Sequence, residues 1–170
     1  MLTSLGITTI LVTHDQHEAL AFGDRVGVVE AGVLRQFGTP AEVYSRPATP
    51  WVATFVGEAT LLPARLTGVT ARTSLGTFAT APIEPGDGLV MLRPEQVGLT
   101  DGSDGVVTAV DYVGPSTRYE VAIGDDLAVL STVPGPPARR VGDRVGTLVG
   151  STVHAWHGTA TERAGHDTDG

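Results

Sequence analysis

The sequence predicts a short α/β segment followed by an all-β domain, because its hydrophobic periodicity changes along the chain. Residues 7–12 are an unbroken run of β-branched and aliphatic side chains, typical of a parallel strand covered on both faces. A helix start follows that run. From about residue 58 apolar side chains recur at every second position between turns rich in glycine and proline, which is typical of short antiparallel strands. The predicted boundaries are 1–57 for the α/β segment, 58–157 for the all-β domain and 158–170 for a polar, disordered tail.

Composition excludes several classes of protein. The 170 residues are 41% hydrophobic, which is enough for a packed core, and the absence of cysteine excludes disulfides and thiolate metal sites. The net charge is -8 and there is no lysine, so we expect neither nucleic acid nor an anionic lipid surface as a partner. No apolar run approaches the roughly 20 residues of a membrane helix, and no leader pattern opens the chain. These features predict a cytoplasmic chain that reaches a membrane only through a protein partner.

His14 is the candidate functional residue of the α/β segment. Residues 1–6 have the pattern of a helix end, and residues 7–12 that of the strand. Asp15 and Glu18 then stand at capping-box spacing, so a helix is predicted to begin near Asp15. His14 would therefore lie at the carboxyl end of a strand and beside a helix N-terminus, a place that favours an anion such as phosphate. A lone histidine there is more often a hydrogen-bonded structural residue, so the pattern alone leaves both interpretations open.

Two helices and a hairpin are predicted after this segment. Residues 25–30 and 33–37 are β-rich runs on either side of a turn at Gly32. Thr39 with Glu42 forms a capping box, and proline follows Thr39 at the first helical position. A second helix is predicted to start at Thr49 and to end at Gly57. The side chains predicted to form its buried face are Trp51, Val52, Phe55 and Val56.

The run at residues 13–20 resembles the H-loop of the nucleotide-binding subunits of ATP-binding-cassette (ABC) importers. Its sequence is THDQHEAL. Further positions fall at the spacing of the same subunits downstream of that loop: Asp24, Arg25, Val29, Gly32, Gln36, Gly38, Pro40, Glu42, Tyr44, Pro47, Val52, Ala53, Phe55 and Gly57. The resemblance implies that residues 1–57 are the end of a P-loop NTPase nucleotide-binding domain.

The resemblance also implies a role for His14. In the family, the histidine at this position reaches the γ-phosphate of ATP and helps to hold the attacking water, so His14 is the implied catalytic and ATP-contacting residue. ATP and Mg²⁺ are the cofactors implied for a complete subunit. The phosphate-binding P-loop, the signature motif and the Walker B acid precede this histidine in the family, and a P-loop cannot be written without lysine. We therefore expect this chain to be the C-terminal portion of a subunit, to bind neither cofactor tightly and to be inactive alone.

The all-β domain is predicted to be a small closed or half-closed barrel of the OB type. The alternation is clearest where Tyr119, Val121 and Ile123 share one face, opposite Arg118 and Glu120. The predicted strands cover residues 61–66, 69–73, 77–80, 88–93, 106–113, 117–123, 127–133, 144–149 and 153–156.

This domain resembles the TOBE regulatory domains of importers of sugars, polyamines, oxyanions and ferric ion. The run Arg93-Pro94-Glu95 carries most of the resemblance, and the turns near Gly105, Gly114 and Gly142 match later positions. Residues 62–64 and 73–76 favour the ferric-ion subgroup. The closing segment, 153–156, departs from the family pattern, which leaves the packing of the last strand open. Both resemblances together cover about residues 1–158.

The remaining histidines give no metal site from sequence. His14 and His17 are three residues apart, as are His154 and His157, but residues three apart on a strand face opposite sides. Neither pair has a third ligand at metal spacing. We therefore expect no metal to be bound by these side chains.

The function implied is the coupling of ATP hydrolysis to solute import, with ferric ion slightly favoured. The implied partners are membrane-spanning permease subunits, a second ATP-binding subunit in a homodimer and, indirectly, a periplasmic or extracellular solute-binding protein. The implied location is the inner face of the cell membrane. The alternative is a free-standing OB-like module that regulates another protein or binds a small oxyanion. Because the strand at residues 7–12 would lack covering elements, the isolated chain is expected either to aggregate or to be protected in hydrogen exchange only beyond about Glu58, with residues 1–38 exchanging quickly.

Overall fold

The computed structural model describes residues 9–158. The predicted helix end at residues 1–6 and the predicted tail after residue 158 lie outside that range. The described part begins with three short helices and one hairpin, followed by nine strands. The first elements are α1 (Gln16–Phe22), β1 (Val26–Glu30), β2 (Val33–Gly38), α2 (Pro40–Ser45) and α3 (Pro50–Phe55). The strands that follow are β3 (Thr60–Leu66), β4 (Thr70–Thr73), β5 (Gly76–Ala79), β6 (Gly86–Leu92), β7 (Val97–Tyr112), β8 (Ser116–Ile123), β9 (Leu127–Pro134), β10 (Arg144–Val149) and β11 (His154–His157).

The strand predicted at residues 7–12 is not formed in its described part. Residues 9–12 have no regular structure, and the side chains of Ile10 and Val12 are 86% and 91% exposed. A strand is stable only when its backbone groups pair with a neighbour and its apolar side chains are covered. No described strand pairs with residues 9–12, so the apolar run alone does not produce a strand. The α/β expectation for this segment is wrong over these residues, and His14 does not lie at a strand end.

The predicted start of α1 is confirmed. The Asp15 carboxylate accepts hydrogen bonds from the backbone N–H groups of His17, at 2.9 Å, and Glu18, at 3.1 Å. The Thr13 hydroxyl in turn accepts from the Asp15 N–H at 3.0 Å. This helix has no buried residue, so the rest of the molecule holds it only weakly.

The hairpin of β1 and β2 is confirmed with its two-residue turn. Ala31 and Gly32 have φ values of 48° and 83°, the left-handed conformation that this kind of tight hairpin requires at both positions. Val26 and Val28 on one face of β1 are buried and pack against valines of α2 and α3 and just beyond, namely Val43, Val52 and Val56. The hairpin, the three helices and their connections form what we call the N-terminal unit, residues 16–57.

The two helices that follow the hairpin have the predicted caps. Thr39 and Glu42 complete a capping box, and the Thr49 hydroxyl accepts from the N–H of the third residue of α3. The predicted burial of the aromatic side chains of α3 is wrong. Trp51 and Phe55 are 36% and 42% exposed and stack on each other at 4.8 Å. The six-residue helix presents a narrow apolar face to the core, and its neighbouring valine and alanine side chains fill that face.

The all-β prediction is confirmed, and the strands form two antiparallel sheets. The five-stranded sheet has the order β11-β6-β3-β4-β5 and the four-stranded sheet the order β10-β7-β8-β9. Within the described residues the strand ladders do not join into one continuous barrel. Each sheet contributes a buried cluster, and Leu75 and Leu127 pack against both. We call residues 60–157 the β domain.

One detail of the β domain differs from the prediction by sequence, namely the length of β7. β7 is 16 residues long and includes residues 97–105, which the predicted strands, 88–93 and 106–113, left out. Pairing with β10 decides this segment, because Val97 lies opposite Val149 and Gly105 opposite Val145. The alternation of β8 is as predicted, with Tyr119 and Val121 buried.

Candidate functional site

His14 is an exposed residue at the bend that precedes α1. Within residues 9–158 no hydrogen bond or ion pair holds its imidazole ring, so the structural interpretation, which needs a hydrogen-bond partner, has no support in the described part. Its neighbour His17 is also exposed, with Nδ1 3.9 Å from the Asp15 carboxylate. The structure therefore presents His14 as a ring free to contact a ligand or another chain.

The N-terminus of α1 is already occupied by an anion. Hydrogen bonds from the backbone N–H groups of Glu18 and His17 lower the pKa of Asp15, which is therefore a carboxylate at neutral pH. A phosphate group at this helix end would meet that negative charge instead of free N–H donors. The expectation that the helix N-terminus favours phosphate is therefore wrong, since Asp15 already accepts from its N–H groups.

We asked whether the described residues fit ATP and Mg²⁺. A nucleotide triphosphate needs a cradle of backbone amides and a cation, and the chain has no lysine. Residues 9–158 contain no group of three or more His, Asp or Glu side chains placed to hold a metal ion. The described residues therefore supply neither a lysine for the phosphates nor a cluster of ligands for Mg²⁺.

An open cleft of about 610 Å³ lies between α1 and the β domain. Its α1 side is formed by Gln16, His17 and Leu20, while Glu95 and Arg118 contribute from the β domain. His14 is not among its lining residues. The cleft shows that the helix after His14 faces the β domain across a gap, with Tyr44 and Glu58 between them.

Arg93 connects the two parts of the molecule. Its side chain is buried, with 2% of the residue exposed. Nη1 donates to the carbonyl oxygens of Ala53 and Gly57 at 2.9 Å and of Glu58 at 3.0 Å. Nη2 donates to the Tyr44 carbonyl at 2.9 Å, and the guanidinium lies 4.2 Å from the centroid of the Tyr44 ring. One residue of the β domain thus holds the carboxyl ends of both α2 and α3.

Glu95 completes this arrangement, and we call Arg93, Tyr44 and Glu95 the Arg93 clamp. The Tyr44 hydroxyl donates to Glu95 Oε1 at 3.0 Å. Burial and the nearby Glu95 carboxylate raise the pKa of Tyr44 to about 12, so its hydroxyl keeps its proton. Burial lowers the pKa of Arg93, whereas electrostatic interactions with Tyr44 and Glu95 raise it by a smaller amount. Sequence reasoning used Arg93 and Glu95 only as family marks and missed this role, which their separation of about 50 residues from Tyr44 conceals.

A second contact joins the parts at β11, whose packing the sequence left open. The indole N–H of Trp156 and the Nε2 atom of His154 both lie 3.0 Å from the Pro47 carbonyl. Trp156 is 5% exposed and belongs to a cluster with Ala53, Leu89 and Met91. The departure from the family ending is therefore accommodated by contacts with the connection between α2 and α3.

Comparison with known proteins defines the class of the β domain first. Residues 90–153 match the TOBE domain family, so the chain contains a TOBE domain. The match spans the strands from β6 to β10 and includes the β-domain members of the Arg93 clamp.

Comparison with whole proteins defines the relatives. The Fe(3+) ions import ATP-binding protein FbpC 2 of Rhodococcus jostii (strain RHA1) is 45% identical over 159 residues, 88% of this chain and 46% of that protein. The FbpC of Mesorhizobium japonicum is 34% identical over 92% of this chain and 50% of that protein. The Spermidine/putrescine import ATP-binding protein PotA of Ruegeria pomeroyi is 38% identical over 74% of this chain and 38% of that protein. The chain is thus homologous, over most of its length, to ATP-binding subunits of iron and polyamine ABC importers.

Two further observations concern the length of the chain relative to these proteins and the apolar character of its helices. The chain spans about half the length of the curated relatives it matches. Across residues 9–158, no helix is long and apolar enough to cross a membrane.

Proposed function

We propose that this chain supplies the H-loop and the regulatory TOBE domain of an ATP-hydrolysing subunit that couples ATP hydrolysis to solute import through an ABC transporter. The observation that carries the proposal is the 45% identity to an Fe(3+) import ATP-binding protein over 88% of the chain. Ferric ion is slightly favoured over polyamines, since three iron-import relatives from one organism are 43–45% identical, whereas two other iron-import relatives are 34% and 39% identical and the polyamine-import relatives 36–38%.

His14 is the proposed γ-phosphate and water-positioning residue. Its ring is exposed and has no hydrogen-bond partner in the described part of the chain. Phosphoryl transfer is catalysed mainly by positioning and charge stabilisation, so one imidazole donor that orients water is a useful contribution. In a complete subunit ATP would supply the phosphoryl group and Mg²⁺ would neutralise part of its charge. The cradle for both belongs to residues other than the described ones.

The proposed domain division is 1–57 for the end of the nucleotide-binding domain and 58–157 for the regulatory domain. Three of the four buried clusters in the described residues support it, because one consists of residues of the N-terminal unit and two consist of β-domain residues, while the fourth joins Ala53 to Leu89, Met91 and Trp156 across the boundary. The proposed partners are the permease subunits, a second ATP-binding subunit as a homodimer and indirectly a solute-binding protein. The chain would act at the cytoplasmic face of the membrane.

A chimeric subunit tests the role of His14. The corresponding segment of a close FbpC relative is replaced by this chain, and ATP hydrolysis and ATP affinity are measured. We expect His14→Ala to lower the turnover rate at least about tenfold with little change in affinity, since a transition-state contact is lost. The matched control is His17→Ala, three residues away and also exposed, which should leave turnover unchanged. Equal effects of both variants would contradict the proposal.

The isolated chain provides a second test. We expect no Mg²⁺-dependent phosphate release from ATP by the purified 170-residue chain, because the described residues supply neither a lysine for the phosphates nor a cluster of ligands for Mg²⁺. Measurable ATP turnover that disappears with His14→Ala would show that the chain forms a complete site. That result would contradict the proposal that other residues hold ATP and Mg²⁺.

A further inference from the structure

We propose that Arg93 is a positioning residue: acting through Tyr44, it fixes the orientation of the N-terminal unit, and with it the segment that carries His14, on the β domain. The inference deepens the proposed function and rests on it for its meaning in transport. It assigns to the Arg93 clamp the mechanical connection between the regulatory domain and the H-loop.

The hydrogen bonds of the Arg93 side chain point away from the β domain. All four hydrogen bonds of the Arg93 guanidinium go to carbonyl oxygens of residues 44–58, and none goes to the β domain that carries it. The partners are 35–49 residues away in sequence. Carbonyl oxygens at the ends of helices carry partial negative charge, which suits a cation. The side chain therefore serves the joint between the two units and not the sheet from which it comes.

The Arg93 guanidinium can satisfy its partners in only one orientation of the N-terminal unit on the β domain. Nη1 and Nη2 reach carbonyls of two different helical segments, and the guanidinium plane also covers the Tyr44 ring. A planar fork of donors fixes direction as well as distance, which an ammonium group cannot do. The buried Nε atom of Arg93 has no acceptor within the described residues. A buried cation that shifts away from these carbonyl oxygens and from the ring loses hydrogen-bonding and electrostatic free energy that no water replaces. The arrangement therefore resists small rotations of the N-terminal unit relative to the β domain.

The Arg93 clamp is connected to the segment that carries His14 through α2 and α1. Tyr44 lies on α2, and α2 is the element against which α1 packs. Tyr44 and Glu95 line the same cleft as His17 and Leu20 of α1. His14 lies two residues before α1, whose N-cap is Asp15. A change in the position of Arg93 would therefore move Tyr44 and α2, and so change the surface on which α1 and the preceding segment with His14 are weakly held.

Hydrogen exchange of the intact 170-residue chain tests the positioning role without ATP. We expect Arg93→Met to accelerate exchange at least about tenfold in residues 26–55, with less than a twofold change in residues 60–66, which form β3 of the five-stranded sheet that Arg93 follows. The matched control is Arg65→Met, which removes an exposed arginine of the same sheet that pairs with Asp87. Equal acceleration in both segments, or no acceleration in residues 26–55, would overturn the inference, since a residue that only stabilises the sheet affects both.

Two further variants cover the case in which Arg93→Met does not fold. Tyr44→Leu removes the ring but keeps the carbonyl that accepts from Arg93, and we expect about threefold faster exchange confined to residues 26–55. Arg93→Lys keeps the charge but not the fork, and we expect exchange in residues 26–55 faster than that of Tyr44→Leu, because the four directed hydrogen bonds are lost. Wild-type exchange in Tyr44→Leu would show that the ring has no positioning role and would contradict the inference.

Hydrolysis by the chimeric subunit separates this inference from the proposed function. There, Arg93→Met should lower kcat with KM for ATP little changed, because the H-loop is displaced and the phosphate cradle is not. If His14→Ala leaves hydrolysis intact, the proposed role of His14 fails while the exchange experiment still decides the clamp. If His14→Ala abolishes hydrolysis and Arg93→Met changes neither exchange nor kcat, the positioning role of Arg93 is contradicted. The proposed function is then still supported.

Discussion

The indole N–H of Trp156, on the last strand, donates a hydrogen bond of 3.0 Å to the carbonyl oxygen of Pro47, 109 residues earlier in the chain. Pro47 lies between α2 and α3, so this bond ties the β domain to the N-terminal unit at a point separate from the Arg93 clamp. His154 shares the same acceptor. The two contacts together make the interface between the units part of the folded core.

The first prediction concerns Trp156. Trp156→Phe removes the buried donor and leaves a small void beside Ala53 and Met91. We expect a loss of about 2 kcal/mol in the free energy of unfolding, measured by urea denaturation followed by circular dichroism. The control is Trp51→Phe, at a tryptophan that is 36% exposed, for which a change within about 0.5 kcal/mol is expected. Equal losses in the two variants would contradict the assignment of Trp156 to the interface.

The second prediction is a pH dependence at the same interface. Burial lowers the pKa of His154 below 6.5, helped by the positive charges of Arg46 and Arg93 and opposed by the bond to Pro47. The unfolded chain therefore binds a proton here at a higher pH than the folded chain does. Stability from this group is complete above about pH 6.5 and falls as pH decreases through that value, by at most about 1.4 kcal/mol per pH unit.

The measurement for this prediction is the free energy of unfolding of the wild type and of His154→Gln between pH 7.5 and 5. We expect the difference in stability between the two proteins to shrink on acidification, because the glutamine does not titrate. A difference that is constant over this range would show that His154 has the same pKa in both states.

The third prediction concerns the space beside the Arg93 clamp. A Cβ atom at Gly57 would lie 2.9 Å from the Tyr44 ring and 3.3 Å from Arg93 Nη1. Gly57→Ala is therefore expected to displace the ring and to cost about 1–3 kcal/mol of unfolding free energy. Gly150→Ala is the control, because a Cβ there meets nothing within 4 Å. Wild-type stability of Gly57→Ala would mean that the ring moves freely, against the geometry of the clamp.

The fourth prediction is the boundary of protection in hydrogen exchange. The sequence alone predicted fast exchange for residues 1–38, but the hairpin is covered, with Val26 and Val28 in a buried cluster. We now expect the amides of residues 9–15 to exchange at nearly the intrinsic rate, those of α1 to be weakly protected, and those of β1 and β2 to be protected. Fast exchange throughout residues 26–38 would show that the hairpin does not pack on α2 and α3.

Local signals in the sequence were sufficient for most of the elements. Capping residues such as Asp15, Thr39 and Thr49 act on backbone groups within a few residues, so the helix starts can be inferred without the fold. The same holds for the turn at Gly32, which needs a left-handed backbone, and for the strands of the β domain, whose period-two pattern records which face is buried. The family resemblance, carried by short motifs, is equally local and is confirmed by the relatives.

The sequence by itself thus determined where helices, turns and most strands lie and which family the chain resembles. The tertiary structure decided the fate of residues 9–12, which no partner strand covers, and of Trp51, which the narrow face of α3 leaves exposed. It also decided the first half of β7, formed by pairing with β10, and the role of Arg93. Each depends on partners far away in sequence, because pairing and burial are properties of the neighbours that the fold supplies and not of the residue alone.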